Sequence, residues 1–229
     1  MATHLDLEEQ EQLDQLKHFW ERWGTLITAV LLVALLALAG WNGYRWWQRS
    51  QAAQASILYD EVDRAAQAGD TARVERAFHD IRDKFGRTTY AQQAGLAAAK
   101  ALYDKNNADG AQAALGWVAD KGTDPGLQAV ARLRLAAIHL DAKRYDDALK
   151  QLDGTWPTGF AGLAADRRGD VLAAQGKRDD AIAAYRSAWK DTDAASDYRR
   201  LVEVKLNALG VDPTAAGATA AAPATPAKP

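Results

Sequence analysis

The residue types that most often perform chemistry are sparse and scattered in this sequence. None of its four histidines, His4, His18, His79 and His139, has a second ligand at a metal-binding spacing, and the chain contains no cysteine. A glycine-rich phosphate loop, a nucleophile elbow and an H-E-x-x-H motif are all missing from the sequence. We therefore expect no metal site, no cofactor and no enzymatic activity.

Two pairs of neighbouring carboxylates are the remaining candidates for general acid–base chemistry. These pairs are Asp146-Asp147 and Asp179-Asp180. Each stands where a polar turn gives way to an apolar stretch, and acidic side chains at that place stabilise the positive end of a helix dipole. We therefore interpret both pairs as features of helix starts.

Composition predicts a helical protein with a substantial core. The chain has 229 residues, of which 48% are hydrophobic and 8% aromatic, and only 6 are prolines. Much of the apolar fraction is alanine, which favours closely packed helices, so we predict an all-α fold. Its 28 basic and 30 acidic residues give a net charge of -2. Because nucleic-acid binding needs a basic surface, nucleic acid is not an expected partner.

An uncharged apolar stretch occupies residues 24–44 and reads GTLITAVLLVALLALAGWNGY. As a helix it would be about 31 Å long, which matches the hydrocarbon core of a bilayer. Aromatic residues that favour the membrane interface stand at both of its ends. They are Trp20, Trp23, Trp41, Tyr44, Trp46 and Trp47. The pattern predicts a transmembrane helix in contact with the lipid bilayer, in preference to a buried helix of a soluble protein.

A cleaved signal peptide is the alternative interpretation of this stretch, because residues 37–39, Ala-Leu-Ala, resemble a cleavage site. The preceding segment is acidic where an export signal is normally basic, and the apolar run is long for a signal. We therefore prefer an uncleaved anchor. Lys17 and Arg22 on one side balance Arg45 and Arg49 on the other, so charge does not decide the orientation. Our preference is a cytoplasmic N-terminus with the large domain exported.

Helical repeats follow the anchor, and the clearest one covers residues 169–188, GDVLAAQGKRDDAIAAYRSA. Gly169, Ala181 and Tyr185 stand where a tetratricopeptide repeat (TPR) has a small, a small and an aromatic residue. The small residues allow two antiparallel helices to approach closely, and the aromatic ring fills the gap between neighbouring hairpins. This segment resembles the TPR family.

Three weaker copies precede this repeat. The position of Ala181 is taken by Ala148, Ala111 and Val74, at intervals of 33, 37 and 37 residues. A generic bundle of helical hairpins is the alternative to a repeat array. We expect a helix over residues 199–209 to close the stack. The fold class we predict is all-α, with an N-terminal transmembrane helix followed by an α-solenoid of TPR-like hairpins.

Four segments result from these observations. Residues 1–23 form an acidic tail, residues 24–44 the transmembrane helix, and residues 45–211 the repeat domain. Residues 212–229 contain little besides alanine, proline, threonine and glycine, which is too little apolar bulk to offset the entropy of ordering. We expect this last segment to be disordered.

In the tetratricopeptide register, the first helix of each hairpin lines a concave groove that receives a partner segment. We expect nine residues to face this groove. They are Tyr59, Asp63, Leu96, Lys100, Tyr103, Leu133, Leu140, Asp166 and Asp170. This set mixes apolar residues with both signs of charge, and it lacks the basic cluster by which some TPR domains hold a terminal carboxylate.

Three stretches, in this order, resemble one known family: LDLEEQEQLDQLKHFWERWG, GWNGYRWWQ and the repeat GDVLAAQGKRDDAIAAYRSA. The chain resembles the YfgM-like family of bacterial inner-membrane proteins over nearly its whole length. The resemblance implies an ancillary subunit of the SecYEG translocon with a cytoplasmic N-terminus and a periplasmic TPR domain. It implies three partners: the SecYEG translocon, nascent exported chains, and periplasmic chaperones or a membrane-anchored isomerase-type chaperone. The rival interpretation is a soluble or tethered TPR scaffold of cell-envelope assembly.

Overall fold

A computed structural model describes residues 7–214, with side chains described from residue 17 onward. All regular structure within this part of the chain is α-helical, which confirms the all-α prediction. The helices are α1 (Leu7–Ala68), α2 (Thr71–Phe85), α3 (Thr89–Asp104), α4 (Ala108–Lys121), α5 (Pro125–Asp141), α6 (Tyr145–Leu152), α7 (Ala161–Ala174), α8 (Arg178–Asp191) and α9 (Asp197–Ala208). The chain divides into two compact units, Met1–Ala53 and Gln54–Pro229.

The described part of the first unit is residues 7–53 of α1, which include the apolar stretch. In the described residues it is the only helix long and apolar enough to cross a membrane. Its large side chains are open to the surroundings, with Leu35 at 65% and Leu36 at 64% exposure. A helix that packed in a soluble core would bury such side chains, so the exposure favours the membrane interpretation. Trp41 and Trp46 are exposed as well, and the Arg45 guanidinium lies 5.4 Å from the Trp41 ring.

The second unit is a series of helical hairpins. We call residues 54–68 of α1, together with α3, α5, α7 and α9, the A helices, and α2, α4, α6 and α8 the B helices. Each A helix from α1 to α7 packs against the B helix that follows it. Successive A helices also contact each other, α3 with α5 and α5 with α7. Contacts between successive A helices place them on the inner side of the stack. The family of folds predicted from the repeats, an α-solenoid of TPR-like hairpins, is confirmed.

One turn geometry recurs at the end of the A helices. The turn residues Gly69, Asn106, Lys143, Gly176 and Gly210 all have a left-handed backbone, with φ between 56° and 77°. Each turn closes on two backbone hydrogen bonds. At α3 these are Asn107 N to Leu102 O at 2.9 Å and Asn106 N to Tyr103 O at 2.9 Å. This pair of bonds satisfies the last carbonyls of the helix. The same turn after α9 shows that α9 is also an A helix.

The predicted repeat positions are in the interior. Val74, Ala111, Ala148 and Ala181 each lie five residues after a turn residue, and none is more than 1% exposed. Gly169 on α7 is buried directly under the ring of Tyr185 on α8. The small residues therefore set how closely the two helices of a hairpin approach.

The loops between hairpins are held by buried polar contacts. Gln92 on α3 is fully buried, and its Oε1 accepts hydrogen bonds from the backbone N–H groups of Thr123 and Asp124, both at 3.0 Å. Asp124 in turn accepts from the N–H of Leu127 and caps α5, whose first residue is Pro125. One glutamine thus fixes the start of the third hairpin.

Helix α9 is the closing helix expected near residues 199–209. Val202 and Leu206 are fully buried against α8 together with Tyr185. The acidic pairs at 146–147 and 179–180 lie in the first turns of α6 and α8, as expected for dipole stabilisation. The disorder predicted for residues 212–229 concerns mainly residues 215–229, which lie outside the described part of the chain.

Candidate partner-binding groove

The open side of each A helix is opposite its B helix. Residues seven before the turn, Val62, Ala99, Ala136 and Gly169, face the B helix and are buried. At 100° per residue, a side chain two positions earlier points about 160° away from them. We define three rows of residues on the open side. They lie nine, six and two residues before the left-handed turn residue that follows each A helix. The outer row is Asp60, Ala97, Arg134, Arg167 and Leu201; the middle row is Asp63, Lys100, Ala137, Asp170 and Val204; the turn-side row is Gln67, Asp104, Asp141, Ala174 and Ala208.

Four of the nine predicted groove residues lie in a different place. Tyr59, Leu96, Leu133 and Asp166 are ten residues before the turn, where they face the next A helix. Leu96 is 9% exposed and Asp166 is 2% exposed, so neither lies open to a partner. Placing these two residues in the groove was wrong, because the row that faces a neighbouring helix is covered by it.

Asp166 belongs to a buried polar cluster that holds α9. Its carboxylate accepts hydrogen bonds from Tyr198 Oη at 2.6 Å and from Lys205 Nζ at 2.7 Å. Lys205 also donates to Asp170 Oδ1 at 2.6 Å, and Tyr185 Oη donates to the same oxygen at 2.8 Å. Burial and the neighbouring carboxylates raise the pKa values of Tyr185 and Tyr198 above their ordinary range. These side chains act in stability, since each is satisfied within the chain.

The other predicted residues lie at or beside the open rows. Asp63 accepts from the Gln67 amide at 2.7 Å, and Lys100 pairs with Asp104 at 2.5 Å. Asp170, half-buried, completes the middle row while it contacts Lys205. All three are in the middle row that the structure leaves accessible from the inner side of the stack.

Tyr103 and Leu140, three residues before the turn, stand at the rim of the open side. Tyr103 is 37% exposed and donates from Oη to Asp141 Oδ2 at 2.8 Å. This hydrogen bond raises the pKa of the tyrosine. Beside it lies an open cleft of about 520 Å³ between the second and third turns, where Arg144 donates to Gln112 at 2.5 Å. Leu140 is half-buried and packs against the core of the third hairpin.

The outer row and the turn-side row are the parts of the groove that the sequence prediction missed. Arg134 and Leu201 are exposed, and Asp60 is exposed at the other end of the array. The prediction used the positions ten, six and three residues before the turn, so it had the middle row right and took the other two rows one residue too early. The turn glycines at 69 and 176 carried the missing signal, because counting back from them fixes which face each residue occupies. Among the residues whose side chains are described, no group of three His, Cys, Asp or Glu residues could hold a metal.

Comparisons with known proteins agree with this architecture. A family model described as a tetratricopeptide repeat-like domain matches residues 17–211. A protein of Neisseria gonorrhoeae named "Ancillary SecYEG translocon subunit" is 34% identical over 210 residues, which is 91% of this chain and 100% of that protein. A protein of Escherichia coli with the same name is 31% identical over 163 residues, covering 70% of this chain and 76% of its own length.

A third protein with this name, from Haemophilus influenzae, is 29% identical over 160 residues, 69% of this chain and 76% of its own. No solved structure is significantly similar to the chain. The similarity to the three relatives therefore rests on sequence, while the hairpin geometry described above rests on the structure of this chain.

Proposed function

This chain belongs to the YfgM-like family of ancillary SecYEG translocon subunits with a TPR-like domain, and on that premise we propose that it is a membrane-anchored adaptor of the translocon. The helix over residues 24–44 holds it in the bacterial inner membrane, with a cytoplasmic N-terminus and a periplasmic repeat domain. The repeat domain contacts exported chains as they emerge and helps transfer them to periplasmic chaperones. The protein acts by binding and has no catalytic step.

One observation carries the translocon association. The similarity to the Neisseria gonorrhoeae protein includes the whole length of that protein, so it covers the apolar helix as well as the hairpins. A likeness confined to the hairpins would support only a TPR fold, because that fold serves many partners. A shared anchor with a shared repeat domain supports a shared place of action.

The anchor gives physical support to the adaptor role. Its apolar side chains are exposed on all sides within the first unit, so they are available to lipid and to other membrane helices. Tethering the repeat domain to the membrane raises its effective concentration at the translocon exit to about the millimolar range. Weak contacts in the groove then suffice to capture a passing chain.

Co-purification with the translocon tests the proposal. Membranes that contain the tagged chain are solubilised in a mild detergent, and the bound SecYEG subunits are measured against a chain whose residues 24–44 are replaced by an unrelated apolar helix. We expect the translocon subunits to co-purify with the natural anchor and to be lost with the replacement. Recovery of translocon subunits with both chains would show that the natural anchor is not needed, and recovery with neither chain would show no association. Either result would overturn the association through the anchor.

Cysteine accessibility tests the orientation, and each introduced cysteine is the one maleimide site of the purified chain because the sequence has no cysteine. Lys190→Cys lies on the repeat domain and Glu21→Cys lies before the apolar stretch, and both positions are exposed. In intact spheroplasts, a membrane-impermeant maleimide should label Lys190→Cys and leave Glu21→Cys unlabelled until lysis. The reverse labelling pattern would place the repeats in the cytoplasm and end the chaperone-transfer proposal.

A further inference from the structure

The floor of the groove changes character from one end of the array to the other. On residues 54–68 of α1 it presents Asp60, Asp63 and Gln67, all polar. On α9 the three equivalent positions are Leu201, Val204 and Ala208, all apolar and all exposed. Both sets of residues occupy the same three rows, so the two ends of the groove differ in the chemistry of their side chains and not in the direction that the side chains face.

Two carboxylates at the acidic end of the groove are left without a cation among the described side chains, because the neighbouring Arg64 and Arg73 both pair with Glu61. Within residues 17–214, neither Asp60 nor Asp63 has an ion-pair partner, since Asp63 accepts from the neutral Gln67 amide and the nearby Arg73 pairs with Glu61 at 2.6 Å. In the middle of the groove, Lys100 pairs with Asp104 at 2.5 Å and Arg167 with Asp170 at 3.5 Å. Between these pairs, Arg134 donates to the Leu96 carbonyl and Asp141 accepts from Tyr103, so one free charge of each sign remains there among the described residues. Charge complementarity therefore favours a cationic group over the first helix.

The apolar end is separate from the core of α9. Val202 and Leu206 bury the opposite face of that helix completely, so α9 is already docked without its groove face. Leu201 is nevertheless 48% exposed and Val204 is 62% exposed. Two large apolar side chains that stay largely exposed on a helix docked through other residues, at the end of a groove, mark a binding surface for an apolar segment.

We infer that the groove binds one extended polypeptide segment with basic residues over Asp60 and Asp63 and apolar residues over Leu201 and Val204. Four steps between A helices of about 8–10 Å each give a span of roughly 32–40 Å. An extended chain covers this span with about 9–12 residues. This inference rests on the proposed function, because a membrane-tethered adaptor is where such a segment of an exported chain would arrive.

A synthetic peptide binding assay tests the inference on the full chain in lipid nanodiscs. The probe is a fluorescein-labelled peptide of about 12 residues with lysines at one end, leucines at the other and a glycine–serine spacer, matched to the span of the groove. The comparison peptide has the same composition with lysines and leucines interleaved. We expect fluorescence anisotropy to show tighter binding of the probe than of the interleaved peptide.

Two groove variants and two matched controls complete the assay. Leu201→Ser with Val204→Ser should weaken the probe about tenfold or more, because two apolar contacts are lost. Asp60→Asn with Asp63→Asn should weaken it about three- to tenfold and flatten its dependence on salt. Ala183→Ser is the apolar control, since Ala183 is exposed on the B helix α8 and lies outside the groove rows. Asp120→Asn is the acidic control, at an exposed position on the B helix α4.

The outcomes separate this inference from the proposed function. Equal binding of the two peptides, or equal losses in the groove and control variants, would overturn the two-ended groove, whatever the translocon co-purification shows. Selective losses in the groove variants without co-purification of the translocon would support the groove and remove the translocon association. Circular dichroism of each variant verifies that the helices remain folded, which we expect because none of the substituted side chains is buried.

Discussion

Gly169 on α7 lies against the ring of Tyr185 on α8, so close that a Cβ atom on the glycine would stand 2.8 Å from Tyr185 Cζ. The ring is 4% exposed and is held by its hydrogen bond to Asp170, so it has little freedom to move aside. The distance between the two helices of the fourth hairpin is therefore set by the absence of a side chain at residue 169.

Gly169→Ala should destabilise the domain for this reason. Forcing a methyl group into a packed contact costs about 1–3 kcal/mol, which exceeds the gain of up to about 1 kcal/mol from replacing a helical glycine. Urea unfolding of the detergent-solubilised chain, followed by circular dichroism, measures the difference. Gly116→Ala on α4 is the control, because nothing lies within 4 Å of its added Cβ, and it should stabilise. Equal effects of the two substitutions would contradict the close approach.

Substitution of two turn residues by glycine should instead increase the stability of the domain. Lys143 has φ of 56°, a left-handed conformation that costs most residues about 1–2 kcal/mol. Lys143→Gly should therefore stabilise the domain by about 0.5–1 kcal/mol after the entropy of glycine in the unfolded chain is included. Asn106→Gly should stabilise it less, because asparagine tolerates this conformation. The same urea unfolding measures both, and a loss of stability in Lys143→Gly would show that its side chain has another role.

The hydrogen bonds of Gln92 predict that a single substitution at this residue substantially lowers the stability of the domain. Gln92→Ala removes the acceptor of the Thr123 and Asp124 N–H groups and the donor to Thr123 Oγ1 at 2.9 Å. Leaving such groups unsatisfied should cost about 2–3 kcal/mol. Gln93→Ala, at the exposed neighbouring position on the same helix, should change stability by less than about 0.5 kcal/mol. Similar midpoints of urea unfolding for the two variants would contradict the loop-fixing role of Gln92.

The spacing of residues within one repeat predicted the helical hairpins. It did not predict the contacts between residues that lie far apart in the sequence. The pattern Gly169, Ala181 and Tyr185 indicated a close helix pair, because every contact in it lies within about 16 residues of sequence and repeats the TPR spacing. The burial of Asp166 was not predictable in this way. Its partners Tyr198 and Lys205 lie 32 and 39 residues away, and only the position of α9 at the end of the stack brings them together.

The assignment of residues to the open side of each A helix was partly wrong for a related reason. Intervals of 37 and 33 residues between repeats leave the rotation of each A helix uncertain by about one residue, which is 100° on the helix surface. Leu96 and Lys100 were expected to share a face, yet Leu96 is buried and Lys100 is exposed. The turn residue after each A helix, once located, removes that uncertainty.

Alkaline pH should weaken the domain through two tyrosines. Burial, and then hydrogen bonds to Asp170 and Asp166, raise the pKa values of Tyr185 and Tyr198 in the folded state above the unfolded value of about 10. The folded state therefore holds these protons more tightly, so the stability they contribute is complete below about pH 10 and is lost as pH rises above it. Each tyrosine adds about 1.4 kcal/mol per pH unit to that loss.

Tyr198→Phe removes one of the two titrating groups and should make the loss of stability above pH 10 less steep. Urea unfolding midpoints at several pH values between neutral and strongly alkaline measure the slope. Tyr90→Phe is the control, because Tyr90 is 36% exposed and its ring lies 6.0 Å from that of Tyr59, far from the cluster on α9. The assignment would be wrong if Tyr198→Phe and Tyr90→Phe gave the same alkaline slope.

Lys205 on α9 forms ion pairs with two carboxylates of α7. Its Nζ lies 2.7 Å from Asp166 and 2.6 Å from Asp170, and Asp166 is 2% exposed. Lys205→Met keeps the length and apolar stem of the side chain but leaves a buried carboxylate without its cation, which should cost about 3 kcal/mol or more. Adding Asp166→Asn to Lys205→Met should recover much of that loss, since the uncompensated charge is then gone. A plain loss of packing would instead leave the double variant at least as unstable as Lys205→Met, and urea unfolding of the two chains distinguishes these results.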